Sequence, residues 1–74
     1  MNQYLEKALR SLTVTSNKSA LHPTDEARVK QYLRVLHKNG IGLDADEIQG
    51  WLRANGWQEG PVKQVANWAK HIAE

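Results

Sequence analysis

The sequence predicts a single all-α domain, a compact bundle of four short helices. Three observations carry this expectation. Apolar residues recur at helical spacing in four separate segments. The only two prolines, Pro23 and Pro61, stand where helices would begin. And 74 residues without a cysteine allow one small core that must stand on packing alone. Area scaling for 8.4 kDa gives about 4,600 Å² of folded surface, with roughly 60% of the unfolded chain's surface buried. Such a core is thin, so nearly every large apolar side chain is needed in it.

The first helix is expected at about residues 2–12, where Leu5, Ala8, Leu9 and Leu12 fall at i, i+3, i+4 and i+7. Thr13 to Leu21 is polar, lacks a period and reads as a loop. The second helix, about 24–38, opens with Thr24 as N-cap, and Asp25 and Glu26 suit the positive end of its dipole. Val29, Tyr32, Leu33 and Leu36 form its inward stripe, and Lys38-Asn39-Gly40 ends it. Gly40-Ile41-Gly42-Leu43 is then a short connection whose two apolar residues should plug the core.

The third helix, about 45–54, begins at Asp44-Ala45-Asp46-Glu47, a D-x-x-E variant of the capping box. Ala45, Ile48, Trp51 and Leu52 share one face, and Asn55-Gly56 stops the helix. Pro61 suits the first position of the fourth helix, about 61–73, lined inward by Val62, Val65, Ala66, Ala69 and Ile72. The endings Asn39-Gly40 and Asn55-Gly56 read as shared helix-end chemistry rather than as a repeat, because their distances from the preceding Tyr-Leu-Arg and Trp-Leu-Arg triplets differ.

Several function classes are set aside. No apolar run approaches the ~18 residues that cross a bilayer. Met1 to Glu6 lacks the basic start and apolar block of a signal peptide. The expectation is a cytoplasmic protein with no membrane association. His22, His37 and His71 lie far apart, and Asp44, Asp46 and Glu47 lack the twelve-residue spacing and central glycine of a calcium loop. No metal and no cofactor are expected. There is no thiol and no Gly-x-Ser-x-Gly context. No catalytic residue is assigned, and the chain is expected not to be an enzyme.

Two binding surfaces remain. The net charge is +2, split as +2 over residues 1–22, +2 over 23–42, −3 over 43–60 and +1 over 61–74. A nucleic-acid surface would use the outer arc of the second helix, Lys30, Arg34, His37 and Lys38, or the last helix with Lys63, Gln64, Asn67, Lys70 and His71. The acidic start of the third helix argues against it, so this is the alternative. The favoured function is a non-enzymatic interaction or regulatory module binding another protein. Its surface would centre on Trp68, which lies about 100° from the centre of the Val65/Ala66/Ala69 stripe at the ideal helical turn. This side chain should lie at the rim, half exposed or closing over the first helix, with packing in the phenylalanine-free core as its other reading. Trp57 and Lys70 would flank it. Trp57 also follows a terminating glycine, where an apolar residue folds back to seal the helix.

Gly56-Trp57-Gln58-Glu59-Gly60 followed by Val65-Ala66-Asn67-Trp68-Ala69-Lys70 resembles the GW-x-x-G…V-x-x-WAK signature of a small enterobacterial family of unknown function. Lys7-Ala8-Leu9, Tyr32-Leu33 and Ala45-Asp46 with Ile48 extend the likeness over nearly the whole chain. The resemblance implies a compact all-helical cytoplasmic fold. It implies no activity and carries over no site residue.

Overall fold

A computed structural model describes residues 1–74. Four α-helices and no strand carry the chain: α1 Gln3–Arg10, α2 Asp25–Lys38, α3 Ala45–Ala54 and α4 Glu59–Ala73, with a single 3-10 turn at Ser16–Lys18 between α1 and α2. The all-α expectation holds, and the two middle helices lie within a residue of their expected bounds. α4 is the central element, packed against both α2 and α3, while α1 rests on α2. Leu5 and Leu9 from α1, Val29 and Leu33 from α2, Ile48 and Leu52 from α3, and Val62 and Val65 from α4 are almost completely buried. Each such side chain contributes roughly 1.5–3 kcal/mol of burial. Ile41 and Leu43 pack against this cluster from the short connection, as expected. The accessible surface of 4493 Å² is close to the value expected of one domain of this size.

Caps explain most boundaries. Asn2 precedes α1 and its Oδ1 accepts from the backbone N–H of Tyr4 at 2.8 Å and of Leu5 at 3.4 Å. Asp44 does the same for α3, accepting from Asp46 N–H at 2.9 Å and Glu47 N–H at 3.2 Å. The two central helices end alike. Gly40 and Gly56 adopt φ of +79° and +86°, which lets Ile41 N–H return to the Leu36 carbonyl and Trp57 N–H to the Leu52 carbonyl, both at 3.0 Å. Asn39 and Asn55 each turn a side-chain N–H back to a carbonyl four residues earlier, at 2.7 and 2.8 Å. The shared helix-end chemistry therefore extends to every bond of the turn.

Five local expectations are corrected. Thr24 does not cap α2: its hydroxyl meets His22 Nδ1 at 2.7 Å, and its own backbone is already helical. Glu47 does not close a capping box; its carboxylate faces the Met1 amino group at 3.8 Å. Pro61 is the third residue of α4, not the first, because the Gln58 carbonyl already accepts from Val62 N–H at 3.1 Å. A proline costs nothing there, since the first N–H groups of a helix lack intrahelical partners. The first helix is shorter than expected: Ser11 N–H and Leu12 N–H fall back to carbonyls three residues earlier, a tighter closing turn. Tyr32, placed on the α2 stripe, is 37% exposed, at the edge where the Val29/Leu33/Leu36 face gives way to solvent.

Candidate binding groove between α2 and α4

The largest concavity, about 760 Å³, runs between α2 and α4. From α2 it is lined by Glu26, Lys30, Arg34, His37 and Lys38, and from α4 by Gln64, Asn67, Trp68, His71 and Ile72. These α2 positions recur every three or four residues, so one edge of the helix supplies them all. A second hollow, about 480 Å³, lies across α4 and is lined by Gln49, Lys63, Gln64, Asn67 and Lys70 among others. Gln64 and Asn67 border both. The exposed side of α4 is therefore a ridge of amides, lysines and an imidazole with a hollow on each flank.

Charge on this surface differs from charge along the chain. The two hollows hold five cations and one carboxylate, a surplus of four in a chain whose net charge is +2. Glu26 is paired with Lys30 at 2.6 Å. Arg34, Lys38, Lys63 and Lys70 form no ion pair. Two acids of the segment that argued against this surface are engaged elsewhere: Asp44 caps α3 and Glu47 faces Met1. Glu59 holds Arg53 through two bonds of 2.8 Å. The hydrogen bond and charge of Arg53, with a smaller contribution from the charge of Lys63, outweigh desolvation and keep the Glu59 carboxyl below the usual carboxylate range. None of Asp44, Asp46, Glu47 or Glu59 lines either hollow.

The tryptophans are arranged differently from expectation. Of the readings open for Trp68, core packing holds and the half-exposed rim does not: the side chain is 5% exposed and belongs to the core cluster. The reason is the central position of α4. A helix covered by two neighbours buries a wider arc than one apolar stripe, and α2 closes over the Trp68 edge. Trp57 is 6% exposed and seals the end of α3, as its place after Gly56 implies. Trp51, expected on the core face, is only half-buried. Trp68, Trp57 and Lys70 do not share a surface. Trp68 lines the α2/α4 groove, Lys70 the hollow beyond Gln64, and Trp57 a small cleft with Leu9, Arg10 and Lys18.

Each indole carries a cation from another part of the chain. Arg10 lies over Trp51 at 5.5 Å, Lys18 over Trp57 at 5.6 Å and Lys30 over Trp68 at 5.7 Å from the ring centroids. The last pair falls within the groove. Sequence reasoning named both partners but not their meeting; the Glu26–Lys30 spacing of four was its only local signal.

No group of three or more His, Asp or Glu side chains is placed to hold a metal ion, and no helix is long and apolar enough to cross a membrane. The arrangement offers cations and hydrogen-bond donors along an open surface, which suits binding an extended anion. No curated protein and no solved structure matches the chain. A family model does match, over residues 1–74, the whole helical array that builds the groove, and the chain belongs to that family, described as Domain of unknown function (DUF1889).

Proposed function

We propose that the chain is a non-enzymatic cytoplasmic binding module whose ligand is nucleic acid, held along the exposed side of α4 and the α2 cations beside it. The observation that carries this reading is the surplus of four positive charges gathered around Gln64 and Asn67. Lysines and arginines attract the phosphate backbone, and amide side chains beside them are suited to base edges. A protein partner centred on Trp68, Trp57 and Lys70 would need the three side chains to share one face. They line three separate hollows, so the nucleic-acid alternative has the stronger support.

The test is direct binding of a labelled oligonucleotide, followed by fluorescence anisotropy between about 50 and 200 mM salt. Affinity that falls steeply with salt is the expected result. Absent or salt-independent binding overturns the proposal and returns the protein-interaction reading to first place.

A further inference from the structure

Trp68, which lines the α2/α4 groove, carries the only buried side-chain nitrogen or oxygen of the molecule that has no hydrogen-bond partner, its Nε1. Buried donors are nearly always paired, so an orphan on a groove-lining side chain is a donor that an acceptor from outside the chain would satisfy once the ring is uncovered. Lys30 lies over the ring, and its ammonium is held there by Glu26, whose own side chain is exposed. An ion pair so open to water is weakly held, and a phosphate competes directly with the Glu26 carboxylate for the same ammonium.

Building on the nucleic-acid reading, we infer that the groove takes single-stranded nucleic acid, with one unpaired base stacked on Trp68. A backbone phosphate draws Lys30 from Glu26 and off the ring. The base lies on the bared indole face, and a backbone oxygen accepts the Nε1–H. Gln64 and Asn67 stand in the same groove, within the reach of the base's edge. A duplex keeps its bases inside the stack and cannot offer one to a side chain in a groove wall, whereas aromatic platforms flanked by cations hold single strands.

The test uses the wild-type protein, so folding is not at issue. Its three tryptophans give three indole N–H signals in a nitrogen-15 correlation spectrum. On titration with a single-stranded oligonucleotide of about a dozen nucleotides, the Trp68 signal shifts while those of Trp51 and Trp57 stay. The single strand binds about tenfold more tightly than a duplex of the same sequence. Glu26→Gln, which frees Lys30, strengthens single-strand binding severalfold. If the Gln64 and Asn67 side-chain amides shift while the Trp68 indole does not, or the duplex binds equally well, the stacking site is wrong and the nucleic-acid surface stands. If no signal moves, both readings fall.

Discussion

Thr13 donates twice to the carboxylate of Asp25, twelve residues later: its N–H to Oδ2 at 2.7 Å and its hydroxyl to Oδ1 at 2.9 Å. Arg28 completes the cluster, donating to Asp25 Oδ1 and to the Ser11 carbonyl, both at 2.8 Å. One buried carboxylate therefore ties the end of α1 to the start of α2. Burial alone would push its carboxyl up, but the Thr13 and Arg28 hydrogen bonds and the Arg28 charge outweigh it and hold it below the usual carboxylate range. The folded chain thus takes up that proton later than the unfolded chain as pH falls. Stability from Asp25 is complete above about pH 4 and is lost as pH falls from there through the lower folded value. Asp25→Ala should cost about 2–3 kcal/mol at neutral pH, measured by urea denaturation. Asp25→Asn should cost less and flatten the loss of stability below about pH 4.

Glycine substitutions should separate backbone strain from space. At Gly40 no atom lies within 4 Å of an added Cβ, and at Gly56 only the flexible Lys18 side chain approaches, at 4.0 Å. Their left-handed φ is the remaining obstacle, so Gly40→Ala and Gly56→Ala should each cost about 1–2 kcal/mol. Gly50 lies inside α3 with an equally open Cβ site. Gly50→Ala should stabilise the chain by roughly 0.5–1 kcal/mol. Thermal melts followed by circular dichroism decide both, and a destabilised Gly50→Ala would contradict the open geometry.

Helix ends were legible because their chemistry is local. Asn-Gly after an apolar stripe announces a left-handed closing turn, and both such turns form as expected. Thr24 misled because a single competing group, His22, takes the hydroxyl that would have capped α2. The binding surface was harder to read, since charge by segment is not charge by surface. Counting along the chain sets the acids of residues 43–60 against the cations of α2 and α4. Folding turns Asp44 and Glu59 to local partners and brings Arg34 and Lys38 to one flank of the Gln64/Asn67 ridge, with Lys63 and Lys70 on the other. The burial of Trp68 likewise depends on α2, a partner distant in sequence that α4's own periodicity does not report.

Lys18 fastens the α1–α2 connection to the α3–α4 turn. Its Nζ donates to the Asn55 carbonyl at 2.6 Å and lies over the Trp57 ring, while its own carbonyl accepts from Gln58 N–H at 3.0 Å. Lys18 and the preceding Asn17 adopt left-handed φ of 49° and 56°, a conformation that asparagine tolerates and lysine does not. The contacts of Lys18 offset that strain. Lys18→Ala should therefore cost about 1–2 kcal/mol and raise hydrogen exchange at Gln58 N–H, which would lose the geometry of its acceptor. Lys18→Met, which retains the stem against Trp57, should lie between alanine and wild type.

The salt dependence of oligonucleotide binding offers the most discriminating count of residues. Arg34 and Lys38 border the groove and lack ion-pair partners, so counterion release assigns each a phosphate. Each such cation removed lowers the slope of log affinity against log salt by about 1. Arg34→Ala with Lys38→Ala should therefore lower it by about 2, with the helical content unchanged because both side chains are exposed. Arg53→Ala is the matched control: it also removes one exposed cation, but one already held by Glu59 and outside both hollows. Its slope should equal that of the wild type. A change as large for Arg53→Ala as for Arg34→Ala would mean that the chain attracts the ligand through its net charge alone, and the groove would lose its claim to the phosphates.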